Sequence, residues 1–326
     1  MLSTITHRSM ATEFVVMLAA EDQHQMDAAF QALEQLDAIE AALSTYRSES
    51  EISLVNRSAY DAPVKLSSSI YALLERSLQW SQLTDGAFDI TAGPLIRAWG
   101  FMERRGRVPS RQELEQTLKS CGHQKVLLNP SDQSIQFQAA GMELNLGAIG
   151  KGYALDVLSK QLLAQGVNNF LIHGGNSSVI AQGNQSSDSD PGWAVGVAHP
   201  TKPNVRLAGF RLHNQALSTS GTGKQFFHHR GKRYGHVIDP RTGQPGGELL
   251  SLTAVMDNAT DAEAASTAYF LSSLQSLSAR YEDQGEIASF PHQTPSLLAV
   301  RKSDRQDQVI TQSLGTFNWV DPPATT

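Results

Sequence analysis

The amino-acid sequence predicts an α+β fold, with a mixed, mostly antiparallel sheet flanked by helices. Two observations carry this. Short strand-like runs follow one another at 126–128, 135–137 and 142–146, joined by Asn/Pro/Ser/Asp and Ala/Gly turns, the pattern of a meander. Helical periodicity is confined to a few segments, with no internal repeat and no clear interdomain linker. A chain of 326 residues with 40% hydrophobic content can bury a large core. Length alone would suggest two domains, and one elaborated domain is also allowed. A single domain over 1–326 is expected, its core spanning about 10–302 and its Pro/Thr-rich tail fraying after Asp321.

The elements follow in order. Residues 12–19 (TEFVVMLA) read as a strand. Residues 23–43 carry Met26, Phe30, Leu33, Leu36, Ile39 and Leu43 at mostly three- and four-residue spacing, an amphipathic helix. A second helix over 67–83 turns Ile70, Leu73, Leu74 and Leu78 inward. After the meander, a helix over 151–166 is led by Gly150 and stopped by Gly166. Strands are expected at 169–173, 193–197, 206–212, 234–238 and 250–256, then a helix over 259–274 and a late strand at 297–301. The polar, turn-rich run 182–191 predicts a mobile excursion.

Net charge is -6 with a pI near 5.9, and no long Lys/Arg run is present, which argues against a nucleic-acid-binding surface. The single cysteine, Cys121, excludes an intrachain disulfide and a Cys-rich metal site, and reads as a small buried apolar residue. The first eight residues lack the apolar run of a secretory signal and a lipid-attachment cysteine, and no stretch approaches the roughly 20 apolar residues of a membrane span. A cytoplasmic protein is expected as the sequence stands, or an exported one if an N-terminal segment has been removed.

Several segments carry chemistry. GKRYGHVIDPRTGQP at 231–245 places His236 and Asp239 at what reads as a strand end, running into a Pro-Arg-Thr-Gly turn. Catalytic side chains are often displayed at such junctions, and a structural turn fits equally. LGAIGKGY at 146–153 joins a strand to a helix. Its glycines allow close backbone approach, the helix start offers free N–H groups, and Lys151 adds a point charge for phosphate. The Walker spacing is absent, and a plain tight turn remains the alternative. Glu263 and Thr267, four apart, share one helix face beside Asp261 and Ser266. A carboxylate beside a hydroxyl suits Mg²⁺, while the same residues also fit a solvated helix face. His228 and His229 fall on a hairpin and read as exposed, with no site role.

With TDGAFDIT at 84–91 and STSG at 218–221, these segments resemble, in this order, the ApbE-type flavin transferases, which move FMN from FAD onto a Ser or Thr of a target protein. The resemblance runs from about residue 10 to residue 271. It implies a T-fold-like flavin transferase architecture and assigns roles residue by residue. Ala87, Phe88 and Asp89 would line the adenosine side of the FAD site, Asn145 and Lys151 would contact the dinucleotide, and Met10 and Val237 would also touch FAD. Tyr46, in the run 43–51 that resembles the family's Ser-rich loop, would stack on a flat ring of FAD. Mg²⁺ would be held by the carbonyl of Ala148 and by Glu263 and Thr267, with Asp261 the candidate if the register differs. Thr219 and Ser220 are further candidates near the phosphates.

Three departures stand out. Glu263 replaces the family's metal-ligating Asp, which moves the oxygen by about a bond length. Asn176 in HGGN replaces the acid of the family's Gly-Gly-Asp, and Ala11 replaces the glycine of its Met-Gly-Thr strand. The implied chemistry is attack of a Ser or Thr hydroxyl of a protein acceptor on the FMN phosphorus, with His236 as base, Glu263 catalytic through the metal, and AMP leaving. Asp239 would orient His236 or cap the turn. Two alternatives are an FAD pyrophosphatase, giving FMN and AMP, and a catalytically weak FAD-binding protein.

Overall fold

The computed structural model describes residues 2–186, 191–223, 225–282, 294–305 and 308–324. Two compact units are interleaved along the chain. One comprises Met1–Glu40, Ile149–Gly221 and Glu248–Thr326, the other Ala41–Ala148 and Thr222–Gly247. The chain changes unit at 40–41, inside a helix, at 148–149, immediately before one, and again at 221–222 and 247–248. The first two passages carry no Pro- or Ser-rich linker.

The first unit is built on an eight-stranded sheet in the order Ser3–Ser9, Thr12–Leu18, Phe170–Gly174, Ser178–Gln182, Gln215–Gly221, Leu249–Met256, Ser296–Lys302, Val309–Leu314. Every pairing is antiparallel. Each strand lies beside the next in chain order, so the sheet is one meander with long excursions inserted between neighbours. Such insertions are tolerated because loop-closure cost grows only logarithmically, by about 0.6 kcal/mol per doubling of length.

Both faces of this sheet are covered. Helices Gly150–Ala164 and Ala259–Phe270 pack on one face. On the other, Leu171, Ala181, Leu217, Val255 and Leu298 share a core with Trp193, Val197, Phe210 and Leu212. Those last four belong to Trp193–His199 and Lys202–Leu212, which form a three-stranded sheet with Asn318–Asp321. Strand Leu249–Met256 is therefore buried at all but one position and reads as a continuous apolar run.

In the second unit, Val64–Lys65, Ser134–Phe137 and Val126–Asn129 form a small antiparallel sheet. Leu95, Trp99, Leu114, Cys121 and Ile238 make a core on which Phe101, Phe227 and Tyr234 pack. Trp99 Nε1 donates to Gly243 O at 2.7 Å. Cys121 is buried and its thiol is pushed up to about 12, chiefly by that burial, so the inert reading holds.

Several expected elements differ. Residues 142–146 form no strand: Leu144 N donates to the Asn56 side chain and Asn145 N to Ile90 O, leaving one isolated bridge at Glu143. The Ser-rich run continues into a helix, Glu51–Ser58, because the Ser50 hydroxyl accepts from Ser53 N and caps it. Helices Gly93–Ala98 and Arg111–Leu118 were not foreseen, nor were strands Ser3–Ser9 and Ser178–Gln182. The expected 259–274 helix ends at Phe270, and Ser273 accepts from Ser276 N to open a new helix, Leu274–Glu282. The expected strand 234–238 is split. Lys232–Gly235 pairs with Phe226–His229, and Ile238–Asp239 pairs with Gln244–Pro245. Of the expected excursion, 187–190 lies outside the described residues, as do 325 and 326 of the tail. Among the described residues no helix is long and apolar enough to cross a membrane.

Met10 and Ala11 lie in a turn, not on a strand. Ser9 pairs with Thr12, so these two residues form the hairpin loop, with φ of 51° and 58°. Two-residue loops with both φ positive favour glycine because a Cβ crowds the backbone there. The Ser9 hydroxyl and Met10 N both donate to Glu40 Oε2, at 2.7 and 3.0 Å, and hold the turn shut. Ala11→Gly should therefore stabilise the fold by up to about 1 kcal/mol, part of the relief being offset by a looser unfolded chain. A denaturation midpoint unchanged or lowered in that variant would refute this account of the turn.

Candidate functional site

In the first unit the candidate residues gather where helices 150–164 and 259–270 meet. Gly152 makes the meeting possible: a Cβ there would lie 2.2 Å from Ala259 O and 2.6 Å from Ala259 C. Asp156, one turn further along, accepts from Ala259 N at 2.8 Å, from Thr260 N at 2.9 Å and from the Thr260 hydroxyl. Together with Asn258, which accepts from Asp261 N at 2.9 Å, it satisfies the free amides of the second helix. Burial pushes the Asp156 pKa up, against the pull of those hydrogen bonds.

Glu263 and Lys151 meet in this arrangement. Glu263 is 4% exposed, its Oε1 forms an ion pair with Lys151 Nζ, and its Oε2 accepts from Gly152 N at 2.7 Å. The helix carrying it is buried at nearly every position, which removes the solvated-face reading. A line of hydroxyls continues from the carboxylate. Ser178 Oγ lies 3.4 Å from Glu263 Oε1 and 3.5 Å from Ser218 Oγ. Ser266 Oγ donates to Ser218 Oγ, and Ser220 Oγ reaches Ser266 at 3.0 Å and Thr267 Oγ1 at 3.3 Å. Thr219 instead pairs with Thr253 across the sheet, at 2.7 Å. Asp261 is taken up by the N-cap, its Oδ2 accepting from Asn258 Nδ2 at 2.7 Å.

These residues fit a hard cation chemically. Among the described residues, no group of three His, Cys, Asp or Glu could hold a metal ion. An ion here would take one carboxylate, Glu263, with the Thr267 hydroxyl and backbone or substrate oxygens, an all-oxygen set suited to Mg²⁺.

Further along the same sheet, Gly175 and Asn176 both have positive φ, 61° and 60°, in the loop between Phe170–Gly174 and Ser178–Gln182. Asn tolerates this backbone better than most residues, which gives Asn176 a local reason to stand there. His173 Nδ1 is buried with no partner among the described residues. Burial lowers its pKa, opposed by Glu13.

The second unit holds the other candidates. The Asp89 carboxylate is spent on its own turn: Oδ1 accepts from Thr91 N and Thr91 Oγ1, and Oδ2 accepts from His123 N and lies 3.3 Å from His123 Nδ1. Ala87 and Phe88 are buried. Any ligand contact from 87–89 would therefore come from the backbone. Asn145 Oδ1 accepts from Gly147 N at 2.9 Å and sets the turn 147–149 that carries Ala148. Tyr46 is 75% exposed, with its ring open to a partner.

His236 stands in the break between Lys232–Gly235 and Ile238–Asp239, with Val237 beside it. Its backbone N and its ring Nδ1 both approach Gln225 O, at 3.2 and 3.1 Å. A carbonyl only accepts, so Nδ1 carries the hydrogen and the neutral ring keeps its lone pair on Nε2, the form a base requires. Asp239 does not orient the ring. Its carboxylate is clasped by Arg241 Nε and Nη2 at 2.9 and 2.8 Å, and it accepts from Arg241 N, which is the turn-cap alternative. No sequence signal pointed to Gln225, since the contact is through its backbone. Asp156 left a faint one, a lone acid among the apolar residues of YALDVL.

The comparisons agree with this architecture. The chain is 30% identical over 264 residues to a Klebsiella pneumoniae protein named FAD:protein FMN transferase, covering 80% of this chain and 79% of that one. A Treponema pallidum protein of the same name is 32% identical over 270 residues, covering 78% and 72%. The crystal structure of the ApbE protein of Thermotoga maritima superposes with a TM-score of 0.80 at 28% identity, covering 92% and 94%. The sequence profile of the ApbE family matches residues 10–290, and the chain belongs to that family.

Proposed function

We infer that this chain moves FMN from FAD to a Ser or Thr hydroxyl of a protein acceptor, releasing AMP. The observation that carries the reading is the Nδ1 bond of His236 to Gln225 O, which leaves Nε2 basic within the segment HVIDPRTG. The acceptor hydroxyl gives its proton to Nε2 as its oxygen attacks the FMN phosphorus. The new P–O bond forms, the bond from that phosphorus to the bridging pyrophosphate oxygen breaks, and AMP leaves with that oxygen. Mg²⁺ held by Glu263, Thr267 and the Ala148 carbonyl would neutralise charge on the pyrophosphate. Lys151 and the amides opening helix 150–164 bind the phosphates, Asn145 and Val237 hold the dinucleotide, Met10 lines it, and Tyr46 stacks on a flat ring.

The test is incubation of the chain with FAD and Mg²⁺, with and without a Ser/Thr-bearing acceptor peptide. AMP and a fluorescent flavin–peptide product are expected only when acceptor is present. AMP without acceptor would indicate a pyrophosphatase instead, and retained yellow colour without AMP an FAD-binding protein.

A further inference from the structure

Both carboxylate oxygens of Glu263 are already engaged. Oε1 carries the Lys151 ammonium and lies 3.4 Å from Ser178 Oγ, while Oε2 is fixed on Gly152 N. Two cations on one carboxylate oxygen repel each other, and burial strengthens that repulsion. The two partners differ in freedom. The Glu263 side chain is 5% exposed and held from both oxygens, whereas that of Lys151 is 22% exposed on a flexible four-carbon stem. Lys151 also sits in the first turn of helix 150–164, where an anion is favoured.

We propose that Lys151 competes with the divalent cation for Glu263, and that a dinucleotide phosphate settles the competition by drawing the ammonium away. In the free protein the ion pair closes the carboxylate to metal. Once phosphate engages Lys151, the oxygen is released, so dinucleotide and metal bind with positive coupling. The coupling is reciprocal: the factor by which dinucleotide tightens metal binding is the factor by which metal tightens dinucleotide binding. The longer Glu at this position matters because its extra methylene lets one carboxylate reach both the amide of Gly152 and the ammonium of Lys151. This inference rests on the reading of FAD as substrate and Glu263 as metal ligand.

The experiment measures Mn²⁺ binding to the full chain without nucleotide, by loss of the free-ion electron paramagnetic resonance signal. Lys151→Gln removes the charge but keeps a donor for Glu263, and Lys151→Met removes both. Both variants should bind Mn²⁺ at least about tenfold more tightly than the wild type, the gain expected from removing a competing charge at a single ligand. Adding Glu263→Gln to Lys151→Gln should erase the gain. Mn²⁺ binding that is unchanged or weaker in a folded Lys151→Gln protein overturns the proposal, as does a gain that survives Glu263→Gln. FAD binding to the wild type, followed separately by fluorescence, keeps the two readings apart. If FAD fails to bind, the proposed function falls; if FAD binds and the Mn²⁺ gain is absent, only the competition falls.

Discussion

His236→Ala should slow FMN transfer by about 10²–10⁴-fold while FAD affinity barely changes, because the base acts on the acceptor hydroxyl and not on the dinucleotide. Rigid placement underlies the size of the effect, since a misplacement of about 1 Å can cost two orders of magnitude. Here the ring is tied to Gln225 O through Nδ1, and the backbone is pinned to the same carbonyl through His236 N. Transfer at near wild-type rate would remove His236 from the mechanism. Asp239 would be a poor replacement, because Arg241 holds both of its oxygens.

Gly152→Ala should cost about 3 kcal/mol of stability, measured by chemical denaturation. The added Cβ would meet the backbone of Ala259 and Thr260, and backbone cannot rotate away as a side-chain tip would. Relief requires helices 150–164 and 259–270 to move apart. That movement lengthens the bonds from Asp156 to Ala259 and Thr260 and from Gly152 N to Glu263. A denaturation midpoint within error of the wild type would mean that the helices are not held at this distance. The glycines of 146–153 read from sequence as room for a ligand. At Gly152 the room is used by a neighbouring helix.

Elements whose cause lies within a few residues were legible in the chain. The helices near 26–43, 68–83 and 150–164 followed from apolar spacing and breakers, and the strands at 170–174, 193–199 and 249–256 from apolar runs. The helix Glu51–Ser58 was missed because its Ser50 cap sits in a run of polar residues that reads as loop. The run 142–146 misled in the other direction. Its alternation was strand-like, but its amides are spent on Asn56 and on the turn after Asp89.

The same division holds for the site. The sequence alone determined the α+β class, the positions of LGAIGKGY and HVIDPRTG, and the residue types available for phosphate, metal and base chemistry. Only the tertiary structure decided how those groups are used. It paired Glu263 with Lys151 across 112 residues, set Asp156 on the helix start 104 residues later, and gave His236 a backbone carbonyl instead of Asp239 as its partner. The reason is the range of the forces involved. Periodicity, caps and turns arise from neighbours along the chain. A buried polar group must be satisfied by whichever distant segment packs against it, and that choice is made only when the core closes.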